Sequence, residues 1–140
     1  MASHALDLTL HDADQTARLA VTLGRALTAG DVVLLTGDVG AGKTHFARAL
    51  IQSLLAVPED VPSPTFTLVQ TYDAPAAAIW HADLYRLTSV YEIEELGLTD
   101  AFSDAICLVE WPDRLGDLRP EDALDLTLTV TGDDTRRLSA

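Results

Sequence analysis

The chain has 140 residues, enough for one domain with a core of its own and too few for two. Hydrophobic residues make up 48% of it, so it can bury a core and is not a disordered chain. Nine Lys and Arg against 22 Asp and Glu give a formal net charge of −13, a surface that repels phosphate backbones and argues against direct, unaided binding to RNA or DNA.

The opening residues, Met1 to Asp7, lack the basic region and long apolar stretch of a signal peptide. Leu6, Leu8 and Leu10 alternate with Asp7 and Thr9 and predict a half-buried first strand. Residues 16–27 carry apolar side chains at helical spacing, with Asp12 or Asp14 available as cap. Residues 32–36, Val-Val-Leu-Leu-Thr, are continuously apolar, as in a strand buried on both faces. A glycine-rich turn follows, then a helix over about 44–55. The proline-rich stretch 58–64 must be a loop, and strands are expected at 66–72 and 77–81, with Asp83 just beyond the second.

Residues 89–96 read as an acidic helix, and 105–109 as another fully apolar strand ending in Glu110-Trp111-Pro112. In the tail Leu124, Leu126, Leu128 and Val130 point one way and Asp125, Thr127 and Thr129 the other. A turn at 131–134 then lets 135–139 pair back as a last strand. The sum is one α/β domain, 1–140, on a mixed sheet with its buried strands central and its alternating ones towards the edges. No apolar run reaches the roughly 20 residues that cross a bilayer, so no membrane partner is expected. The lone Cys107 fits a reducing compartment, and the expected location is the cytoplasm.

Gly37-Asp38-Val39-Gly40-Ala41-Gly42-Lys43-Thr44 matches the phosphate-binding pattern G-x-x-x-x-G-K-[ST], between a predicted buried strand and a predicted helix. Glycines let backbone N–H groups converge on phosphate oxygens, and the helix N-terminus adds its dipole. Lys43 is the only lysine in the chain and would reach the β- and γ-phosphates, while the Thr44 hydroxyl would ligate Mg²⁺. The chain contains no asparagine, so the Asn-Lys-x-Asp motif that reads guanine is excluded, and a conventional GTPase with it. Magnesium also needs a carboxylate at the end of a neighbouring strand, for which Glu110 and Asp83 are both candidates. His81, two residues before Asp83, has too few partners for a zinc site and is read as orienting the loop. Thr65 lies on the loop after the helix that the glycine-rich turn opens, where a hydroxyl can sense a γ-phosphate. Trp111 either covers the nucleotide or anchors a loop, and Cys107 is core packing.

Four segments, Gly-Asp-Val-Gly-Ala-Gly-Lys-Thr at 37–44, Ser-Pro-Thr-Phe at 63–66, His-Ala-Asp-Leu-Tyr-Arg at 81–86 and Leu-Val-Glu-Trp-Pro at 108–112, occur in the order and approximate spacing of the TsaE (YjeE) family. The chain resembles that family over nearly its whole length. The resemblance implies a single P-loop NTPase-like domain with a mostly parallel central sheet flanked by helices and antiparallel edge strands. It implies an ATPase of tRNA threonylcarbamoyladenosine (t⁶A) synthesis that cycles between ATP and ADP and works with the TsaD–TsaB pair, reaching tRNA only through that pair. By motif position it implies phosphate binding by Lys43, Mg²⁺ held by Thr44 and Glu110, and a catalytic and switch region at Asp83 and Thr65. Trp111 is the family's tryptophan beside the active site. The segment near Thr16 and the turn near Asp133 are implied to approach the adenine end. The chain departs from the family at His45, where a second Thr is common after Lys-Thr. Arg86 is the candidate for an arginine finger.

Two other readings compete. A small-molecule or nucleotide kinase would need a lid with several arginines, and the arginines here are scattered. A non-hydrolytic, ATP-dependent interaction module would bind Mg·ATP and recognise a partner without turnover.

Overall fold

The computed structural model describes residues 7–64 and 67–140. Seven strands form one sheet: β1 (Asp7–Leu10), β2 (Val32–Thr36), β3 (Val69–Asp73), β4 (Ala78–Asp83), β5 (Ile106–Glu110), β6 (Leu124–Val130) and β7 (Arg136–Ser139). Their spatial order is β1-β7-β6-β2-β5-β4-β3. The four central strands β6, β2, β5 and β4 run parallel. Both margins are antiparallel, β3 on β4 at one side and β7 with β1 at the other. Parallel strands need their two faces covered, and helices do so here. Helices α1 (Ala13–Ala26) and α2 (Lys43–Leu54) pack against each other and share one core with one face; α3 (Val90–Glu95) and α4 (Leu98–Asp104) join the other.

The two-residue period of a strand sorts its side chains between these layers. In β2, Val33 and Leu35 join the α1–α2 core, and Val32 and Leu34 the opposite one. In β5, Ile106 and Leu108 face α2, and Cys107 and Val109 face away. The same parity sends Glu110, two beyond Leu108, to the α2 side. In β4 it sends His81 and Asp83 there after Ile79. Chain polarity then brings the carboxyl ends of β2, β4 and β5 to one edge of the sheet.

Several expectations meet their structural counterparts directly. Asp12 caps α1, its Oδ1 accepting the Gln15 N–H at 2.8 Å. β2 spans 32–36 as expected, and 58–64 is irregular. Others shift. β3 starts at Val69, since residues 67–68 bend, with Leu68 at φ 67°; Phe66, the expected start of the strand, lies outside the described residues. Asp83 closes β4 instead of following it. Of the four aliphatic residues of β6 only Leu126 and Leu128 are buried; Leu124 and Val130 sit where the strand overruns the core. Helix α4 and the 3₁₀ segment Pro112–Leu118 were not anticipated. Leu6 lies outside the described residues. Among the described residues, no helix is long and apolar enough to cross a membrane.

Leu108 is fully buried in the middle of β5. Leu108→Ala is expected to cost about 2–5 kcal/mol of unfolding free energy, read from urea denaturation; a loss below about 1 kcal/mol would mean that this strand is not the packed centre of the domain.

Candidate functional site

β2 ends at Thr36 and α2 opens at Lys43, so the glycine-rich loop is the strand-to-helix connection itself. Gly42 occupies the cap position of α2 with φ 101°, a left-handed conformation that suits glycine. Having no side chain, it offers the first turn of the helix no cap, so the opening N–H groups and the helix dipole face outward from a bare end. At the other end of the loop a Cβ on Gly37 would lie 2.5 Å from the Leu128 carbonyl oxygen of β6, so only glycine lets the chain turn so close to the neighbouring strand. Arg136, the first residue of β7, fastens the loop from outside. Its guanidinium donates to the carbonyls of Ala41 (3.2 Å) and Gly40 (3.3 Å) and to those of Gly132, Asp133 and Thr135 in the β6–β7 turn.

Register places Asp83 of β4 directly beside Glu110 of β5. Both carboxylates are buried, as is Lys43. Glu110 is held at both oxygens: the Thr44 hydroxyl donates to Oε1 at 2.8 Å, and Nε2 of His81 lies 2.6 Å from Oε2. The contact between Thr44 and Glu110 closes the gap between the start of α2 and the end of β5. Asp83 is oriented by its own strand end, Oδ1 accepting the Tyr85 N–H at 3.0 Å. Lys43 folds back within the loop, donating to the Gly37 carbonyl and to that of Asp38 at 3.0 Å. Burial pushes the Lys43 ammonium below its ordinary pKa, against the opposing pull of Glu110, Asp83 and Asp38.

Trp111 follows Glu110 in the left-handed region (φ 57°, ψ 54°), a conformation that costs a non-glycine residue about 1–3 kcal/mol. The turn swings its indole over the loop, 4.2 Å from the Lys43 ammonium to the ring centroid and 4.9 Å from the ring of Tyr85. Beneath lies a cleft of about 440 Å³, lined among others by Lys43, Thr44, Asp83, Arg86, Glu110 and Trp111. A second cleft of about 270 Å³ lies on the other side of Gly40 and Gly42, between Thr16 of α1 and Asp134 and Arg136 of the last hairpin. His45 borders both clefts, and its Nε2 is 3.0 Å from the Ala13 carbonyl.

The residues singled out in the sequence therefore converge. Asp38, Val39, Gly40, Ala41 and Gly42 form the loop, and Lys43, Thr44, His45, Asp83, Glu110 and Trp111 surround it. Val39 stands out at its tip, and Ala41 is buried beneath. Thr65 lies outside the described residues, so only its neighbour Ser63 is found at the cleft. Thr16 and the 131–135 turn meet at the second cleft, with Asp134 lining it where Asp133 was expected. Sequence reasoning missed Arg136, and it understated His81, which touches the carboxylate itself. An arginine opening a strand and a histidine inside one carry no spacing signal. A hydroxyl and one or two carboxylates beside a bare helix end suit Mg²⁺, which keeps waters and takes its other oxygens from phosphates. Among the described residues no group of three or more His, Cys, Asp and Glu is clustered as an all-protein metal site.

A family model described as threonylcarbamoyl adenosine biosynthesis protein TsaE matches residues 10–138. The chain is 39% identical to the tRNA threonylcarbamoyladenosine biosynthesis protein TsaE of Rickettsia bellii, over 91% of this chain and 88% of that protein. It is 34% identical to the protein of the same name from Bacillus subtilis, over 90% and 78%. The crystal structure of Bacillus subtilis YdiB superposes with a TM-score of 0.80 at 26% identity, covering 99% of this chain and 86% of that one.

Two outcomes are expected of this geometry. Arg136→Ala should speed amide hydrogen exchange in residues 40–42 about tenfold or more, with β2 and β5 unchanged; unaltered exchange in the loop would show the tie to be idle. Because the chain has one lysine, selective ¹³Cε labelling gives one lysine resonance, whose midpoint should fall below 10.5. Between that depressed folded value and the unfolded one, the unfolded chain binds the extra proton, so stability should rise with pH across this window. Lys43→Met should abolish the rise, and a midpoint at or above 10.5 would contradict the burial argument.

Proposed function

The chain belongs to the TsaE family, and on that premise we propose that it is a cytoplasmic, Mg²⁺-dependent ATP hydrolase of tRNA threonylcarbamoyladenosine biosynthesis. Its turnover drives the TsaD–TsaB pair, and it meets tRNA only through that pair. The observation that carries the ATPase reading is the Thr44–Glu110 hydrogen bond, which joins a helix-start hydroxyl to a buried strand-end carboxylate beside the chain's single lysine.

In this reading the loop N–H groups and the α2 dipole bind the phosphates of ATP, and Lys43 leaves its loop carbonyls for the β- and γ-oxygens. Thr44 and Glu110 hold Mg²⁺, which when bound neutralises charge on the phosphate oxygens. Asp83, fixed by the Tyr85 N–H, faces the same cleft and orients the attacking water. Trp111 covers the phosphates and keeps bulk water from them. Thr65 senses the γ-phosphate, and the base lies towards the second cleft, between Thr16 and the 131–135 turn.

Charge developing on the departing ADP is met by Lys43, and Arg86, which lines the cleft, is the candidate finger. Without a finger fixed on the phosphates hydrolysis by the chain alone is slow, and the TsaD–TsaB pair quickens it. Purified chain should hydrolyse Mg·ATP at a low rate that rises about tenfold or more with the TsaD–TsaB pair. Lys43→Ala should lower it by about a hundredfold or more. A rate indifferent to the pair removes the partner-driven role. Phosphate found on an acceptor instead of in solution makes the protein a kinase.

A further inference from the structure

His81 is wholly buried in β4, on the strand face it shares with Ile79 and Asp83. An aliphatic residue would fill such a position without any desolvation cost, whereas a buried imidazole has to be compensated by a hydrogen bond. Its compensation is Glu110: Nε2 lies 2.6 Å from Oε2. The other ring nitrogen, Nδ1, has no partner among the described residues. The tautomer carrying its proton on Nε2 makes the bond to the carboxylate and leaves only a lone pair unmet at Nδ1. The opposite tautomer would set two lone-pair atoms against each other and strand a buried N–H. His81 is therefore the donor.

The two oxygens of Glu110 are thereby divided. Oε2 is tied back into the sheet by His81, and Oε1 points forward to the Thr44 hydroxyl. Left to itself a glutamate carboxylate turns broadly about its last torsion. We propose that His81 is a positioning residue of the nucleotide site: by holding Oε2 it fixes the rotation of the Glu110 carboxylate and keeps Oε1 on the Thr44 and divalent-cation side. The proposal rests on the Mg·nucleotide reading of the site given above. It also separates the two carboxylates. Asp83 is held by a backbone N–H of its own strand end, so loss of His81 loosens Glu110 and leaves the orientation of Asp83 intact.

The test uses the full chain, a fluorescent ADP analogue and a Mg²⁺ titration. His81→Leu removes the donor, and His81→Gln returns an N–H at the place of Nε2. His81→Leu should raise the Mg²⁺ concentration for half-maximal nucleotide binding about tenfold, the worth of one hydrogen bond to a charged group. Binding measured in EDTA should change far less, and His81→Gln should recover most of the loss. A merely structural histidine would move binding with and without Mg²⁺ alike, and that outcome overturns the proposal. An unchanged Mg²⁺ requirement in a folded His81→Leu protein overturns it too, as does failure of His81→Gln to rescue.

Should His81→Leu not fold, ¹⁵N resonances of the unsubstituted protein decide. A protonated Nε2 with a bare Nδ1 supports the donor role, and a protonated Nδ1 with a bare Nε2 refutes it. If the unsubstituted chain shows no Mg²⁺-dependent nucleotide binding at all, the parent reading has failed and this one falls with it. Normal binding with indifferent variants sinks only the role of His81.

Discussion

A carboxylate as deeply buried as Glu110 is tolerated only when both of its oxygens are taken up, since an unpaired charge in the interior costs several kcal/mol. The architecture of the site follows from that requirement. One oxygen is met by Thr44, which fixes the start of α2 against the end of β5; the other is met by His81, which fixes β4 against β5. Parallel pairing of β2, β5 and β4 brings the three strand ends to one edge, and the two-residue period turns Glu110, His81 and Asp83 to the face that α2 covers. The next residue, Trp111, takes a left-handed turn, which lays an indole over the only lysine of the chain.

The glycine-rich loop is braced by the two strands that follow one another on the same side of β2. From β6 the Leu128 carbonyl approaches Gly37 closely enough to forbid any side chain there. From β7 Arg136 binds two outward-facing carbonyls of the loop. The N–H of the Gly40–Ala41 peptide in turn donates to the Asp38 carbonyl, so Arg136 steadies a loop that is also closed on itself, although it lies at the far end of the sequence. This arrangement matters in a chain of net charge −13. Its long-range field opposes an anionic ligand, and the attraction must come from short-range donors on a rigid loop, from Lys43, and, under the proposed function, from a divalent cation.

Much of this was legible in the sequence for definite reasons. The apolar runs at 32–36 and 105–109 are typical of strands covered on both faces, and they form the neighbouring inner strands β2 and β5. The glycine, lysine and threonine of the loop announce themselves by fixed spacing, and Glu110 by closing the most apolar strand. Helix α4 was hidden because Gly97, at φ 79°, breaks the pattern between it and α3. The 3₁₀ segment begins at a proline and kinks at Gly116, with too short a run to show a period. Leu124 and Val130 alternate faultlessly yet lie beyond the core, since alternation marks a face and not how far the packing extends.

What the sequence determined by itself is the set of chemical groups and the local elements that carry them: a phosphate-type loop between strand and helix, a strand-end carboxylate, one lysine, an acidic surface. These follow from backbone periodicity and from residue types with few other uses, and both act over a handful of neighbouring residues. Tertiary structure alone decided which groups meet. His81 and Glu110 are 29 positions apart, Thr44 and Glu110 66, Arg136 and Gly40 96. Such contacts are set by strand order and register, and a shift of one residue between β4 and β5 would turn His81 away from the Glu110 carboxylate.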